Sequence, residues 1–181
     1  RDGLDDACSG KHAGLHAEDL VQKFGITRDE QDRWALRSQQ RFAAAQSAGL
    51  FDPEIVAIEL STRKGPVVFG QDEQNRPDTT AAMLAELKPV FRKDGTITAG
   101  SAPGLNSGAA AMLVARRDWA VANGLAPMAR LAGYGVAAVE PDMFGLGPVP
   151  AVREALRRAD WSAASVERVE INEAFAAITL A

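Results

Sequence analysis

The spacing of apolar residues predicts two helices in the first quarter of the chain. Apolar residues recur at helical spacing in 17–24, and Gly25 ends this first helix. Thr27 and Glu30 then match a capping box, in which each side chain accepts a hydrogen bond from the other residue's backbone amide. The residues that follow, up to Ala48, contain no glycine or proline, so the second helix is long. One face of this helix carries Trp34, Ser38 and Phe42.

The pattern changes to short strands after residue 50. Apolar runs at 55–60 and 66–69 flank a glycine-containing turn, which predicts a β-hairpin. A charged loop follows the hairpin. Beyond it, Asp78 is placed to cap a helix over 79–87, and Pro89 ends that helix.

The second half of the chain alternates predicted strands with predicted helices. The run 109–115 has no polar member and no helical stripe, which predicts a strand covered on both faces. Strands are also predicted at 128–139 and, from an alternating pattern, at 166–171. A short buried helix is the alternative for the first of these runs. The predicted helices cover 118–123, the stretch from Pro148 and Pro150 to Ala159, and 174–180. A mostly helical part with one hairpin, about 1–94, is thus followed by α/β layers, about 95–181.

A glycine-rich loop precedes the predicted strand at 109–115. Gly100, Gly104 and Gly108 are interleaved with Pro103 and small polar residues, so the backbone can turn sharply and let a ligand approach. A plain connection between core strands is the alternative. The glycine and lysine spacings of dinucleotide- and phosphate-binding loops are absent, so neither of those sites is predicted.

Composition excludes several classes of function. The chain has 181 residues, 46% of them hydrophobic, and a net charge of −4, which is typical of a globular protein and argues against a nucleic-acid partner. The longest apolar runs are far too short to cross a membrane, and the N-terminus has no signal-peptide character. We therefore expect no membrane partner and a cytoplasmic location. The missing initial Met and the apolar end at Ala181 indicate that both ends are cut.

Three side chains near the N-terminus are candidates for chemistry. Cys8 is the only cysteine, which excludes an internal disulfide, and two nearby aspartates favour an inert or buried thiol over a nucleophile. His12 and His16 have the spacing of a helical metal site, but Gly14 weakens the helix and no third ligand is apparent. We therefore predict no metal site, and a histidine that orients a loop or contacts a ligand is the favoured interpretation.

Two other polar residues occupy positions suited to a site. Arg76, next to a proline, can contact a phosphate through its planar donors, although a solvated surface charge is the commoner role. Asn172 follows a predicted strand, at the edge where open α/β sheets place their sites. It either caps the last helix or holds a water against a substrate carbonyl.

Several short segments follow one another in a specific order along the chain. They are Asp2-Gly-Leu4, Lys11-His-Ala-Gly14, Arg28-Asp-Glu-Gln-Asp32, Ser38-Gln39, Asp72-Glu73 with Arg76 and Thr79-Thr80, Leu87-Lys-Pro-Val-Phe91, Gly95-Thr-Ile-Thr-Ala-Gly100, Gly108-Ala-Ala-Ala111, Gly147-Pro-Val-Pro150 and Asn172-Glu-Ala-Phe-Ala176. No single segment is decisive. In this order and spacing, over the whole chain, they resemble the thiolase family of acetyl-CoA acetyltransferases and 3-ketoacyl-CoA thiolases.

The resemblance implies an α/β fold that is part of a thiolase, with a helical loop domain, a hairpin and incomplete α/β layers. The implied domains are a CoA-binding loop domain at 1–105, the last strand and helix of the N-terminal half at 106–126, and the beginning of the C-terminal half at 127–181. The implied activity is acyl transfer through a cysteine thioester, either Claisen condensation with acetyl-CoA or thiolysis of a 3-ketoacyl-CoA. Coenzyme A thioesters are then the substrates, no cofactor is permanently bound, and the full-length protein is a homo-oligomer.

The resemblance also assigns roles to individual residues. Asn172 matches the residue that holds the water of an oxyanion hole. The residues assigned to coenzyme A are His12, Ala13, Arg76, Ala102, Pro103 and Gly104, and those assigned to the substrate pocket are Ala174 and Phe175. The family's nucleophilic Cys matches a position before Arg1, and its catalytic His and second Cys match positions after Ala181.

Four positions depart from the family pattern. Ala13 replaces a common Met, Pro103 replaces a Ser that contacts pantetheine, and Met83 stands where a Ser often faces the adenine. Cys8 occupies a position that is usually aromatic, so it is not the nucleophile. These departures leave the acyl-chain preference open.

Two other functional hypotheses stand beside the acyltransferase. A truncated, non-catalytic thiolase-like chain would bind coenzyme A or serve as a scaffold. An unrelated α/β module would require the ordered segments to match by coincidence.

Overall fold

The computed structural model describes residues 3–181, so Asp2 of the first motif lies outside it. Its helices and strands are α1 (Ala13–Phe24), α2 (Arg28–Ser47), β1 (Ile58–Thr62), β2 (Gly65–Phe69), α3 (Ala81–Ala85), α4 (Arg117–Ala122), α5 (Pro148–Ala159) and α6 (Ala176–Leu180). Short 3₁₀ helices lie at Asp52–Glu54, Pro141–Leu146 and Ala163–Ser165. The described residues up to Gly104 form one compact unit with Glu173–Ala181, here unit 1, and Leu105–Asn172 form another, unit 2.

The two long N-terminal helices are those that the sequence predicts. α1 begins at Ala13 rather than at 17, because the His12 Nδ1 accepts a hydrogen bond from the Gly14 amide at 3.0 Å and so caps the helix. α2 opens on the predicted capping box. The Thr27 Oγ1 accepts from the Glu30 amide at 3.2 Å, and the Glu30 Oε2 accepts from the Thr27 amide at 2.8 Å. The bond from the Thr27 amide, together with one that the Thr27 hydroxyl donates to the same carboxylate oxygen at 2.8 Å, lowers the pKa of Glu30.

The predicted hairpin is also present, but the helix after it is shorter than predicted. β1 and β2 pair antiparallel, with Ile58 opposite Phe69. α3 is capped by Thr80, whose Oγ1 accepts from the Met83 amide at 3.2 Å. The prediction that Asp78 is the cap is wrong, because the extended backbone that precedes the first turn is that of Thr80.

The three strands predicted in the second half do not form. The segments 109–115, 128–139 and 166–171 form neither helices nor paired strands. Within residues 3–181 the sheet consists of β1 and β2 alone. Because a strand is held by hydrogen bonds to a neighbouring strand, an apolar run that finds no such neighbour forms none. The expected cover is missing too, since Leu113 is 99% exposed.

Two glycines let α5 pack closely within unit 2. A Cβ at Gly133 would lie 2.6 Å from the Ala155 carbonyl oxygen, and a Cβ at Gly135 would overlap the Ala151 carbonyl oxygen. The two glycines lie in the segment predicted as a strand, and their missing side chains bring the backbone of this segment against the helix.

The remaining helices match the predicted type with shifted ends. α4 and α6 replace the predicted helices at 118–123 and 174–180. Asn172 does not cap α6, since the cap residue is Phe175 and no side chain bonds to the helix start. No helix in residues 3–181 is both long enough and apolar enough to cross a membrane.

A buried carboxylate joins α1 to the turn that follows α3 in unit 1. Glu18 is 2% exposed, and its Oε1 accepts hydrogen bonds from the amides of Thr96 and Ile97, both at 2.9 Å. Gln31 of α2 donates through its Nε2 to the Thr96 Oγ1 at 2.8 Å. The same unit contains the buried apolar residues Ala17, Leu20, Val21, Ile26, Ala35, Leu84, Ile97, Phe175, Ala176 and Ala177. The turn is therefore fixed by polar contacts inside an apolar core.

We expect Glu18→Gln to lower the free energy of unfolding by about 3 kcal/mol, because an amide NH₂ would face backbone donors that now bond to a carboxylate. The measurement is denaturant unfolding followed by circular dichroism. Glu86→Gln, at an exposed position, is the matched control and should change stability by about 0.5 kcal/mol or less. Equal losses in the two variants would contradict the role given to Glu18.

The Glu154 carboxylate on α5 should titrate far below the usual range. Arg157 donates to both of its oxygens at 2.7 and 2.8 Å, and Arg158 donates at 2.6 Å, which lowers the pKa of Glu154 from 4.5 to about 2. The stabilisation is present above about pH 4.5 and is lost as pH falls towards 2. The ¹³Cδ chemical shift of Glu154 measures this titration. Replacing both arginines with glutamine should return the midpoint towards 4.5, and an unchanged midpoint would refute the assigned cause.

Candidate functional site

An aromatic series connects two of the residues that the sequence assigns to a site. The His12 ring stacks on Phe91 with centroids 5.2 Å apart, and Phe91 meets the ring of Phe175 edge-on at 5.7 Å. Gly14 permits this packing, since a Cβ there would overlap the Phe91 ring. Phe91 thus lies between a residue assigned to coenzyme A and one assigned to the substrate pocket.

The loop that carries Ala102, Pro103 and Gly104 is held at its start by a buried turn. The Ser101 Oγ accepts from the Thr98 amide at 3.0 Å, and the Ser101 carbonyl accepts from the Ala176 amide of α6, also at 3.0 Å. Ala102 is half-buried, whereas the next two residues are exposed. The loop therefore begins beside the first turn of α6 and then presents its backbone to solvent.

The segment before α6 places the assigned pocket residues in unit 1. Phe175 is 8% exposed, and Ala174 is half-buried. Together with the Ser101 carbonyl bond to Ala176, this burial brings the segment next to the assigned loop. Unit 1 thus gathers the assigned residues His12, Ala13, Ala102, Ala174 and Phe175 around Phe91 and Ser101.

Arg76 lies on an exposed loop whose backbone is fixed by α2. The Gln39 Oε1 accepts from the Arg76 amide at 2.8 Å, and the Asn75 Nδ2 donates to the Gln39 carbonyl at 3.0 Å. An open cleft of about 200 Å³ lies beside this loop. Its lining residues are Ser38, Gln39, Phe42, Asp72, Gln74 and Asn75. The position suits a ligand group that remains partly in water.

Asn172 is the assigned residue that falls outside unit 1. It is exposed and belongs to unit 2, so the contacts described above do not include it. Its role in holding a water stays a prediction.

Two of the candidate residues near the N-terminus, His16 and Cys8, differ in their exposure. His16 is 1% exposed, with its Nε2 2.9 Å from the Ser9 Oγ and its Nδ1 3.9 Å from an Asp19 carboxylate oxygen. His16 thereby holds the preceding loop. Within residues 3–181 no group of three or more metal-ligating side chains converges. Cys8 is exposed, so the interpretation of a buried thiol is wrong.

The sequence gives no indication of one contact in unit 1, which joins Glu173 to α2. The Glu173 carboxylate accepts from the Trp34 Nε1 at 2.9 Å and from the Ser38 Oγ at 2.8 Å. Helical spacing placed the two donors on one face of α2. Their acceptor lies 135 residues beyond Ser38, and no local pattern indicates a partner at that distance.

Comparison with known proteins gives two matches to family models. The thiolase N-terminal domain matches residues 1–118, and the thiolase C-terminal domain matches 125–181. A probable acetyl-CoA acyltransferase of Staphylococcus epidermidis is 49% identical over 181 residues, which cover 99% of this chain and 46% of that relative. The chain therefore spans about half the length of the curated relatives it matches.

Solved structures agree with the family models. The acetyl-CoA acetyltransferase of Bacillus anthracis superposes with a TM-score of 0.93 at 47% identity, covering 98% of this chain and 45% of that one. Human mitochondrial 3-ketoacyl-CoA thiolase in complex with CoA gives a TM-score of 0.85 at 38% identity, covering 99% and 44%. The described residues thus form part of the α/β thiolase fold, as the sequence predicted. On both family models and these likenesses, the chain belongs to the thiolase family.

Proposed function

We propose that this chain is part of an acetyl-CoA acyltransferase that works through a cysteine thioester, with the nucleophile outside the 181 residues. The reaction is Claisen condensation of an acyl-CoA with acetyl-CoA, or thiolysis of a 3-ketoacyl-CoA. The observation that carries the proposal is the contact series from His12 through Phe91 to Phe175. It brings a residue assigned to pantetheine and one assigned to the acyl group into one apolar cluster.

The chemistry defines what this chain must contribute. A cysteine thiol gives its proton to a base and attacks the thioester carbonyl, so negative charge develops on the carbonyl oxygen. The carbon–sulfur bond to coenzyme A then breaks, and coenzyme A takes up that proton and leaves as its thiol. Donors aimed at that oxygen stabilise the charge, and we assign to Asn172 the water that provides one of them. The cluster of His12, Phe91 and Phe175 supplies an apolar wall for the pantetheine arm and the acyl chain.

The nucleotide end of coenzyme A is assigned to Arg76. The exposed loop that carries it is anchored through Gln39, so its guanidinium is available to a phosphate at the surface. The loop of Ala102, Pro103 and Gly104 begins at the buried Ser101 and is assigned to pantetheine. The complex of human mitochondrial 3-ketoacyl-CoA thiolase with CoA supports this class of ligand.

We also propose a domain organisation, a location and binding partners for the protein. We assign the CoA-binding loop domain to 1–105, the end of the N-terminal half to 106–126 and the start of the C-terminal half to 127–181. Coenzyme A thioesters are the substrates, without a permanently bound cofactor, and the native-length protein is a cytoplasmic homo-oligomer.

The first expected outcome concerns catalysis. The native-length protein should convert acetoacetyl-CoA and coenzyme A to acetyl-CoA, whereas the purified 181-residue chain should not, because the thioester-forming nucleophile lies outside it. Chromatography of the CoA thioesters measures both. In the native-length protein, Asn172→Ala should reduce kcat by roughly 100-fold, and Asn123→Ala, at the exposed position directly after α4, is the control. Binding of coenzyme A without turnover at native length would favour the scaffold hypothesis instead.

The second expected outcome separates the two ends of coenzyme A. Arg76→Ala should raise KM for CoA thioesters by about threefold to tenfold, since an exposed charge-assisted phosphate contact is lost. Thioesters that end at pantetheine lack the nucleotide, so their KM should not change. Arg63→Ala, at the exposed hairpin turn, should affect neither substrate. An equal loss for both substrates in Arg76→Ala would refute the nucleotide contact.

A further inference from the structure

Glu173 is attached to α2 through both oxygens of its carboxylate. Its Oε1 accepts from the Trp34 Nε1 at 2.9 Å, and its Oε2 accepts from the Ser38 Oγ at 2.8 Å. The two donors lie one helical turn apart, so the carboxylate spans them. Hydrogen bonds to an ionised acceptor are stronger and more directional than neutral ones. The attachment therefore fixes the direction in which the chain leaves Glu173.

The donor ring is itself held in place. The Arg37 guanidinium lies over the Trp34 ring, 3.9 Å from its centroid. A cation over the face of an indole restricts the ring plane and leaves the edge, which carries the N–H, pointing outwards. The Nε1–H of Trp34 is thus oriented towards the carboxylate before any ligand is present.

The segment after Glu173 is tied at its other end to the assigned pantetheine loop. The Ala176 amide donates to the Ser101 carbonyl at 3.0 Å. A small cleft of about 90 Å³ separates α2 from this loop, and Trp34, Ser38, Ala102, Glu173 and Ala176 are among its lining residues. The four residues 173–176 therefore run between a side-chain attachment on α2 and a backbone attachment on the loop.

Ala174 and Phe175 lie between these two attachments. Phe175 has an extended backbone, with φ −151 and ψ 145, and α6 begins after it without a side-chain cap. Neither helix geometry nor a cap sets the direction of its side chain. Its place beside Phe91 thus depends on where the two attachments hold the segment.

We infer that Trp34, Ser38 and Glu173 form an anchor that positions the assigned acyl-pocket residues Ala174 and Phe175 against the loop at 102–104. The three are positioning residues, because they act through the segment and not on the reacting atoms. The inference rests on the proposed function. It states that the anchor determines which acyl chains the enzyme prefers. A shift of the segment would move the pocket wall formed by Ala174 and Phe175 but would leave the nucleotide contact in place.

The test uses the native-length protein with Glu173→Gln, Ser38→Ala and Trp34→Phe. In each variant the ratio of kcat/KM between a long-chain 3-ketoacyl-CoA and acetoacetyl-CoA should change by about fivefold to tenfold, which corresponds to the net contribution of one hydrogen bond. The KM for coenzyme A should change by less than about twofold, since the nucleotide contact is untouched. Ser38→Thr keeps the hydroxyl and should restore the wild-type ratio.

Matched controls lie at exposed positions outside the anchor. They are Glu170→Gln, Ser47→Ala and Trp161→Phe. All three should keep the wild-type ratio. An unchanged ratio in the anchor variants of an active enzyme would overturn the inference, as would an equal fall for all substrates accompanied by a lower melting temperature, which is the signature of a purely structural bond.

A second measurement does not depend on activity. The ¹H–¹⁵N signal of the Trp34 Nε1–H should lie downfield and exchange slowly with water, and Glu173→Gln should move it upfield; Trp34→Phe identifies the signal. A signal that Glu173→Gln leaves unmoved would overturn the anchor itself. An inactive native-length wild type would instead overturn the proposed function and with it the assigned role in discrimination, so the two failures are distinguishable.

Discussion

The buried carboxylate of Glu18 is the contact on which the organisation of unit 1 depends. A charged group that is 2% exposed is tolerated only when its oxygens are hydrogen-bonded, and here the donors are the backbone amides of Thr96 and Ile97. These bonds fix the turn against α1. From there the chain reaches the buried Thr98–Ser101 turn, whose last carbonyl accepts the α6 amide of Ala176. The contacts of this one buried carboxylate therefore help to position both the loop that begins at Ser101 and α6, which bonds to it.

The residues assigned to the ligand are positioned by α1 and by the turn that Glu18 holds. His12 caps α1, the helix that carries Glu18, and its ring stacks on Phe91 shortly before the turn that Glu18 holds. Phe175, directly before α6, contacts the same ring. None of these aromatic contacts requires a charged partner, so the cluster presents an apolar surface of the kind that a pantetheine arm or an acyl chain contacts. The polar attachments lie at its edges, at Ser101 and Glu173.

Unit 2 buries far fewer apolar side chains than unit 1 does. Among its residues Ala120, 7% exposed, is the buried apolar side chain, whereas Leu113 and Met128 are almost fully exposed. Its clearest tertiary contact is the close approach of α5 to Gly133 and Gly135. A helix can satisfy its own backbone within one segment, but a strand cannot. The helices of this unit therefore form as the sequence predicts, while the apolar runs between them remain unpaired.

The sequence by itself determined the features that depend on neighbours a few residues apart. These are the capping box of α2, the hairpin, the glycine-terminated α1, the proline-initiated α5 and, through ordered motifs, the family. Only the tertiary structure decided which distant groups meet: Glu18 with Thr96, Phe91 with His12 and Phe175, and Glu173 with Trp34 and Ser38. It also replaced Asp78 by Thr80 as the cap of α3 and left the predicted strands unpaired. The physical reason is that caps and turns are closed by local hydrogen bonds, whereas strand pairing and buried polar contacts require partners that no local spacing specifies.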